Sequence, residues 1–194
     1  MHEYDEPPTK YAWIVYTIAA GVAGLLAGYV IAAQGGRGPV TTAIPTAPVA
    51  AATPVVDESE LRAYRDILTR DPKNLTAAVK AGNLLYDAQR YPEAISFYQQ
   101  AFALNPRDIN VSTDLGTALW YAGRPDEALA QYEKSLAIEP AHAQTLFNVG
   151  IVRADGKHDY PGAIAAWDNL LKSNPTYPDV AKVRSLMAEA RGKS

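Results

Sequence analysis

The sequence predicts an all-α fold: a solenoid of stacked helix–turn–helix units, preceded by one transmembrane helix and a Pro/Ala-rich linker. Three observations predict it. Gly82, Gly116 and Gly150 recur every 34 residues, and Pro72, Pro106 and Pro140 keep the same step, with Pro175 one residue late. Self-similarity at a fixed period of this length marks a repeat architecture. Residues 11–33 carry no charge. Pro39, Pro45, Pro48 and Pro54 interrupt residues 34–56, where each removes a backbone donor and fixes φ, so neither helix nor strand runs through.

The chain divides into a polar tail (1–10), the apolar stretch (11–33), the linker (34–56) and the repeats (57–194). Net charge is −3 over 194 residues, which gives no electrostatic case for nucleic acid. Cysteine is absent, which excludes disulfides, thiolate metal sites and thiol nucleophiles. With only His2, His142 and His158, a histidine metal cage is not expected.

The 23 residues from Tyr11 to Ala33 make a helix about 34 Å long, enough to span a hydrocarbon core. Tyr11, Trp13 and Tyr16 at one end and Tyr29 near the other suit the two headgroup interfaces. The competing reading is a cleaved signal peptide ending at Ala32 or Ala33. Its core runs to about 7–15 residues behind a basic start, whereas this stretch is longer and follows Glu3, Asp5 and Glu6. Lys10 and Arg37 flank the segment, so charge asymmetry barely orients it. The short tail and the exported-type linker favour a single pass through a bacterial inner membrane, with the repeats in the periplasm. Ala20, Gly24, Gly28 and Ala32 form a stripe of small residues that admits a second helix, or reflects only the usual richness of membrane helices in Gly and Ala. The linker spans roughly 25–30 Å as a coil and about 70 Å when extended. It is a passive spacer, or it lies in a groove of a larger complex.

Each repeat follows from its own residues. Asp57 and Glu60 read as a capping box for a leading helix over 57–72. Units then run over about 74–106, 108–140 and 142–175. In the first helix of a unit, Ala78, Gly82 and Leu85 share a face by i, i+4, i+7 spacing. Gly82 removes a side chain where the paired helix crosses, and Ala94 is the matching small residue. Tyr98, Tyr132 and Trp167 fill the space between adjacent units, while Pro92, Pro125 and Pro161 sit in the first turn of the second helices. Val180, Val183, Met187 and Ala190 keep helical register in a closing segment over 178–190, which reads as a cap. Seven helices are expected outside the membrane. The third unit carries one extra residue within RADGKHDYPG, read as an extended turn. Arg153 stands there where Leu85 and Leu119 stand elsewhere, so it must snorkel or find a carboxylate, Asp155 or Asp159. The Asp-Gly-Lys-His-Asp run lacks the spacing of a calcium loop, and no metal is expected.

Gly82, Gly116 and Gly150, with Ala94, Ala128 and Ala163, with Tyr98, Tyr132 and Trp167, and with the closing prolines, resemble the tetratricopeptide repeat family over residues 57–194. The resemblance implies that first helices line a concave, partner-binding face. By the period, one row there is Val79, Thr113, Phe147; a second is Asn83, Thr117, Ile151; a third is Tyr86, Trp120, Ala154, with Tyr121 and Asn148 alongside. Tyr86 and Trp120 either offer apolar area to a ligand or complete the core between helices. These rows contain no Lys or Arg, so a clamp on a peptide's terminal carboxylate is not implied. An internal segment, a helix or a folded partner is the expected ligand.

Membrane-anchored repeats with a WDNLLKSNP-like third unit resemble proteins that accompany bacterial cytochrome c maturation. The implied function is a scaffold or assembly factor for a membrane protein complex, with a membrane-associated protein as partner. The alternative is a stoichiometric accessory subunit of a respiratory or photosynthetic complex. No phosphate loop, HExxH or nucleophile elbow is present, so neither an enzyme, a cofactor nor a small-molecule substrate is expected. A single cysteine replacing Thr46 is expected to react with a membrane-impermeant thiol reagent in intact spheroplasts; labelling only after lysis reverses the orientation.

Overall fold

The computed structural model describes residues 55–194. The tail, the 11–33 anchor with Ala20, Gly24, Gly28 and Ala32, and the linker up to Pro54 lie outside the described residues. Among the described residues no helix is long and apolar enough to cross a membrane.

The described chain is helical throughout. α1 (Glu58–Arg70) leads. The pairs α2 (Leu75–Asp87) with α3 (Tyr91–Leu104) and α4 (Ile109–Tyr121) with α5 (Pro125–Ile138) follow. The third pair is α6 (Ala143–Ile151), which continues into a π-helical turn (Val152–Gly156), and α7 (Tyr160–Ser173). α8 (Val180–Gly192) closes the series. Each helix packs on its neighbours in sequence, giving a stack of helix hairpins. Among the described residues eight α-helices form rather than seven, because the leading helix, two helices per unit and the closing helix are each separate.

Local chemistry sets the boundaries. Asn74 caps α2 by accepting from the Ala77 amide at 3.0 Å, and Asp108 caps α4 through the Asn110 and Val111 amides. Asp57 accepts from the amides of Ser59 and Glu60. Glu60 does not reach back to complete the box, because its carboxylate instead accepts the Tyr64 hydroxyl at 2.6 Å. The second helices start on Pro92, Pro125 and Pro161, where a missing N–H costs little. The turn inside each hairpin passes through one residue of positive φ, at Gln89 (60°), Gly123 (76°) and His158 (54°), all in one register.

The repeated contact is a ring on a glycine. A Cβ added at Gly82 would lie 2.7 Å from Tyr98 Cε1, at Gly116 2.5 Å from Tyr132 Cε1, and at Gly150 2.1 Å from Trp167 Nε1. Tyr98, Tyr132 and Trp167 are each at most 2% exposed. Around these rings run apolar clusters that cross the unit boundaries, such as Leu68, Ala77, Ala78, Ala101 and Val111 at the junction of α1 to α4.

The extra residue of the third unit is absorbed inside a helix, not in an extended turn. The Lys157 amide bonds back to the Val152 carbonyl, an i→i+5 step that widens one turn to take up the insertion. Val152 and Ala154 are buried there, while Arg153 reaches the Asp159 carboxylate at 3.1 Å, rather than Asp155.

Gly→Ala inside a helix ordinarily gains up to about 1 kcal/mol. At Gly150 the overpacking against Trp167 opposes that gain, and a net loss of about 1–2 kcal/mol is expected. Gly192→Ala, where nothing lies within 4 Å, is expected to be neutral or mildly stabilising. Urea denaturation followed by helical circular dichroism separates the two.

Candidate functional site

The sequence rows fall on α2, α4 and α6, the first helices of the three units. Val79, Asn83 and Tyr86 are half-buried on α2, Thr117 and Trp120 on α4, and Phe147, Asn148 and Ile151 on α6. Thr113 is 3% exposed and offers a ligand nothing. Its hydroxyl lies 2.8 Å from that of Thr145, which in turn lies 2.8 Å from His142 Nδ1. Equal spacing in sequence cannot reveal this, because burial of Thr113 depends on a polar partner carried by α6.

The amide and hydroxyl groups of the rows are held from below. Tyr98 donates its hydroxyl to Asn83 Oδ1 at 2.8 Å. Thr117 donates to the Thr113 carbonyl at 2.9 Å, lies 3.0 Å from the Tyr132 hydroxyl and accepts from Asn148 Nδ2 at 3.1 Å. With the Thr117 proton committed to the carbonyl, the Tyr132 phenol is the donor. Burial pushes that phenol well above the ordinary tyrosine range, so it stays neutral. Asn148 also accepts from Gln144 at 2.9 Å. The same tyrosines that fill the glycine contacts thus orient the polar groups of the rows.

Aromatic area gathers at two places. Tyr121 is 45% exposed, stacks on Tyr91 at 5.3 Å and meets Tyr86 edge-on at 6.0 Å. Tyr91, at the start of α3, joins this cluster although the rows never include it; its neighbouring position at a hairpin turn is the signal in sequence. Trp120 packs on the main core cluster and covers Gly156 of the π-turn, where an added Cβ would meet its ring at 2.6 Å. It is chiefly a packing residue.

At the other end Phe147 stacks on Tyr177 at 6.4 Å, and Lys182 Nζ sits 5.4 Å above its ring. Continuing the rows by the 35-residue step of the third unit reaches Lys182, Leu186 and Glu189 on α8. The closing helix therefore extends the rows and adds a cation to them. The extra residue of the third unit hid this register. Among the described residues no group of His, Cys, Asp and Glu side chains is arranged to hold a metal.

Residues 74–141 match the tetratricopeptide repeat family model, which supports that family for the repeats. No curated protein matches the chain in sequence. Among solved structures it is similar in fold to MamA, with 21% identity over 69% of this chain and 81% of that one and a TM-score of 0.58. It is also similar to the Yersinia enterocolitica type III secretion chaperone SycD in complex with a peptide of the translocator YopD (16% identity, 66% and 95% coverage, TM-score 0.57). The TPR domain of Sgt2 from Aspergillus fumigatus is a third (20% identity, 61% and 78% coverage, TM-score 0.56).

Burial holds the His142 imidazole below its ordinary value of 6.5, against a smaller opposing effect of Glu139. The unfolded chain therefore takes up the proton first as pH falls, so this contribution to stability is full above about 6.5 and declines as pH drops towards the lower folded value. Thermal melts at about pH 7.5 and pH 5.5 are expected to show this loss in the parent chain and a smaller one in His142→Asn.

Proposed function

We propose that this chain is a membrane-anchored protein–protein interaction scaffold or assembly factor for a membrane protein complex. The first-helix face carries the reading. It offers half-buried amides and hydroxyls, held in place by buried tyrosines, beside exposed aromatic area at Tyr121. Such a surface binds a protein segment through hydrogen bonds and aromatic anchors and has no constellation for chemistry among the described residues. One fold relative carries a translocator peptide, which is in keeping with a peptide-sized ligand here. The uncharged 11–33 segment supports a site beside a bilayer, the short tail supports the periplasmic side, and both favour a membrane-associated protein as partner. A role in cytochrome c maturation is the narrower form of this proposal and rests on the WDNLLKSNP segment of the third unit.

The test is purification of the full chain in mild detergent with mass spectrometry of the proteins retained. Combined Val79→Ser and Tyr121→Ser substitution is expected to lower partner recovery by about tenfold, since interface aromatics carry much of the binding energy, with unchanged helical circular dichroism. Recovery at the parent level overturns the assignment of this face. Sub-stoichiometric partners fit an assembly factor, whereas a fixed ratio points to the accessory-subunit alternative.

A further inference from the structure

In a complete repeat the two helices meet through one face each. In unit 2 the first helix uses Ser112, Leu115, Gly116 and Leu119, and the second uses Ala128, Tyr132 and Ser135; all are buried. Stepping back by the period puts Glu60, Tyr64 and Ile67 at the second-helix positions on α1. Stepping forward puts Ala181, Arg184, Ser185 and Ala188 at the first-helix positions on α8. Here the residues are open: Ile67 is 39% exposed, Tyr64 is half-buried, and Glu60, Arg184 and Ser185 are exposed. Among the described residues, α1 is a second helix without its first and α8 a first helix without its second.

The two faces match. Tyr64 stands in the register of Tyr98, Tyr132 and Trp167, and Ser185 in that of the glycines those rings cover. Glu60 replaces an alanine found in all three repeats, and Arg184 replaces Ala81, Leu115 and Val149. A negative and a positive charge thus occupy the two faces at positions that are uncharged in every inner repeat, and Arg184 has no ion pair among the described residues. Beside Arg184 an open recess of about 470 Å³, lined by Leu171 and Met187 and by the charged Asp168, Lys172 and Arg191, lies between α7 and α8.

We propose that α1 of one copy docks on α8 of a second copy, completing a repeat between them, so that the chain associates head to tail. The contact joins two different faces, so each dimer keeps one free face of each kind and growth is open-ended. It uses none of the three rows of the candidate groove and stands apart from the partner reading above.

The chain has no cysteine, which allows a direct test on the full chain in mild detergent. Under mild oxidation, Tyr64→Cys with Ser185→Cys in one chain is expected to give a disulfide ladder of dimers, trimers and higher species. An equimolar mixture of the two single variants is expected to stop at disulfide-linked dimers, and each single variant alone to form no disulfide-linked species. In the double-cysteine background, Glu60→Arg or Arg184→Glu is expected to lower the ladder by about tenfold through like-charge contact, and both together to restore it. These sites are exposed, and unchanged circular dichroism excludes unfolding as the cause. The proposal is overturned by a double variant that stays monomeric or closes only within one chain, by single variants that dimerise as well alone as mixed, or by a charge reversal that the second reversal does not rescue.

Discussion

An aromatic ring seated on a bare stretch of helix backbone governs this domain. Tyr98, Tyr132 and Trp167 each lie where a Cβ on Gly82, Gly116 or Gly150 would stand. The contact brings the two helices of a hairpin close together and recurs in every unit, through a tyrosine in the first two and a tryptophan in the third. Stacking with a constant step follows, and with it the alignment of half-buried residues along α2, α4 and α6. The rings also carry polar ends that reach the rows: Tyr98 to Asn83, Tyr132 to Thr117, and Trp167 Nε1 to the Phe147 carbonyl at 3.1 Å. Packing and the candidate interface are therefore coupled through three side chains.

The two inner junctions are built differently. Units 1 and 2 meet through alanine and valine, with Ala77, Ala78, Ala101 and Val111 in one cluster. Units 2 and 3 meet through buried polar groups. Thr113 pairs with Thr145 at 2.8 Å and Asn148 donates to Thr117 at 3.1 Å across the junction, while within unit 2 Ser135 and Gln131 both donate to Ser112. Apolar contacts tolerate small shifts, whereas a buried hydroxyl that loses its partner costs about 1–3 kcal/mol. The second junction thus fixes the orientation of α6 on α4 more tightly. Thr117 and Asn148 belong both to that junction and to the half-buried rows.

The third unit shows how a repeat absorbs an error of one residue. The insertion enters the helix as a π-turn, which buries Val152 and Ala154 and lets Arg153 find Asp159 at the surface. Trp120 closes over Gly156, and Lys157 pairs with Asp126 at 2.6 Å, so residues of unit 2 hold the irregular turn from outside. Downstream the phase is recovered, and α8 continues the rows with Lys182, Leu186 and Glu189.

Much of the architecture was legible in the sequence because periodicity is a local property. The spacing of Gly82, Gly116 and Gly150 and the second-helix prolines follow from which side chains can occupy a helix crossing. The sequence set Gly82 against Ala94 and the rings between units. Each ring instead lies on the glycine of its own unit, because a bulky side chain fills the space a missing Cβ leaves. The sequence by itself determined the helix pairs, their order and the glycines at their crossings. Only the tertiary structure decided what each row position does. Thr113, Thr117 and Trp120 are spaced like residues of an open face, yet Thr113 is sealed by Thr145, Thr117 is shared between α5 and α6, and Trp120 lies over Gly156. The period places a residue on a helix face. Whether it stays exposed depends on what a neighbouring helix brings to it, and that contact is made across the stack, not along the chain.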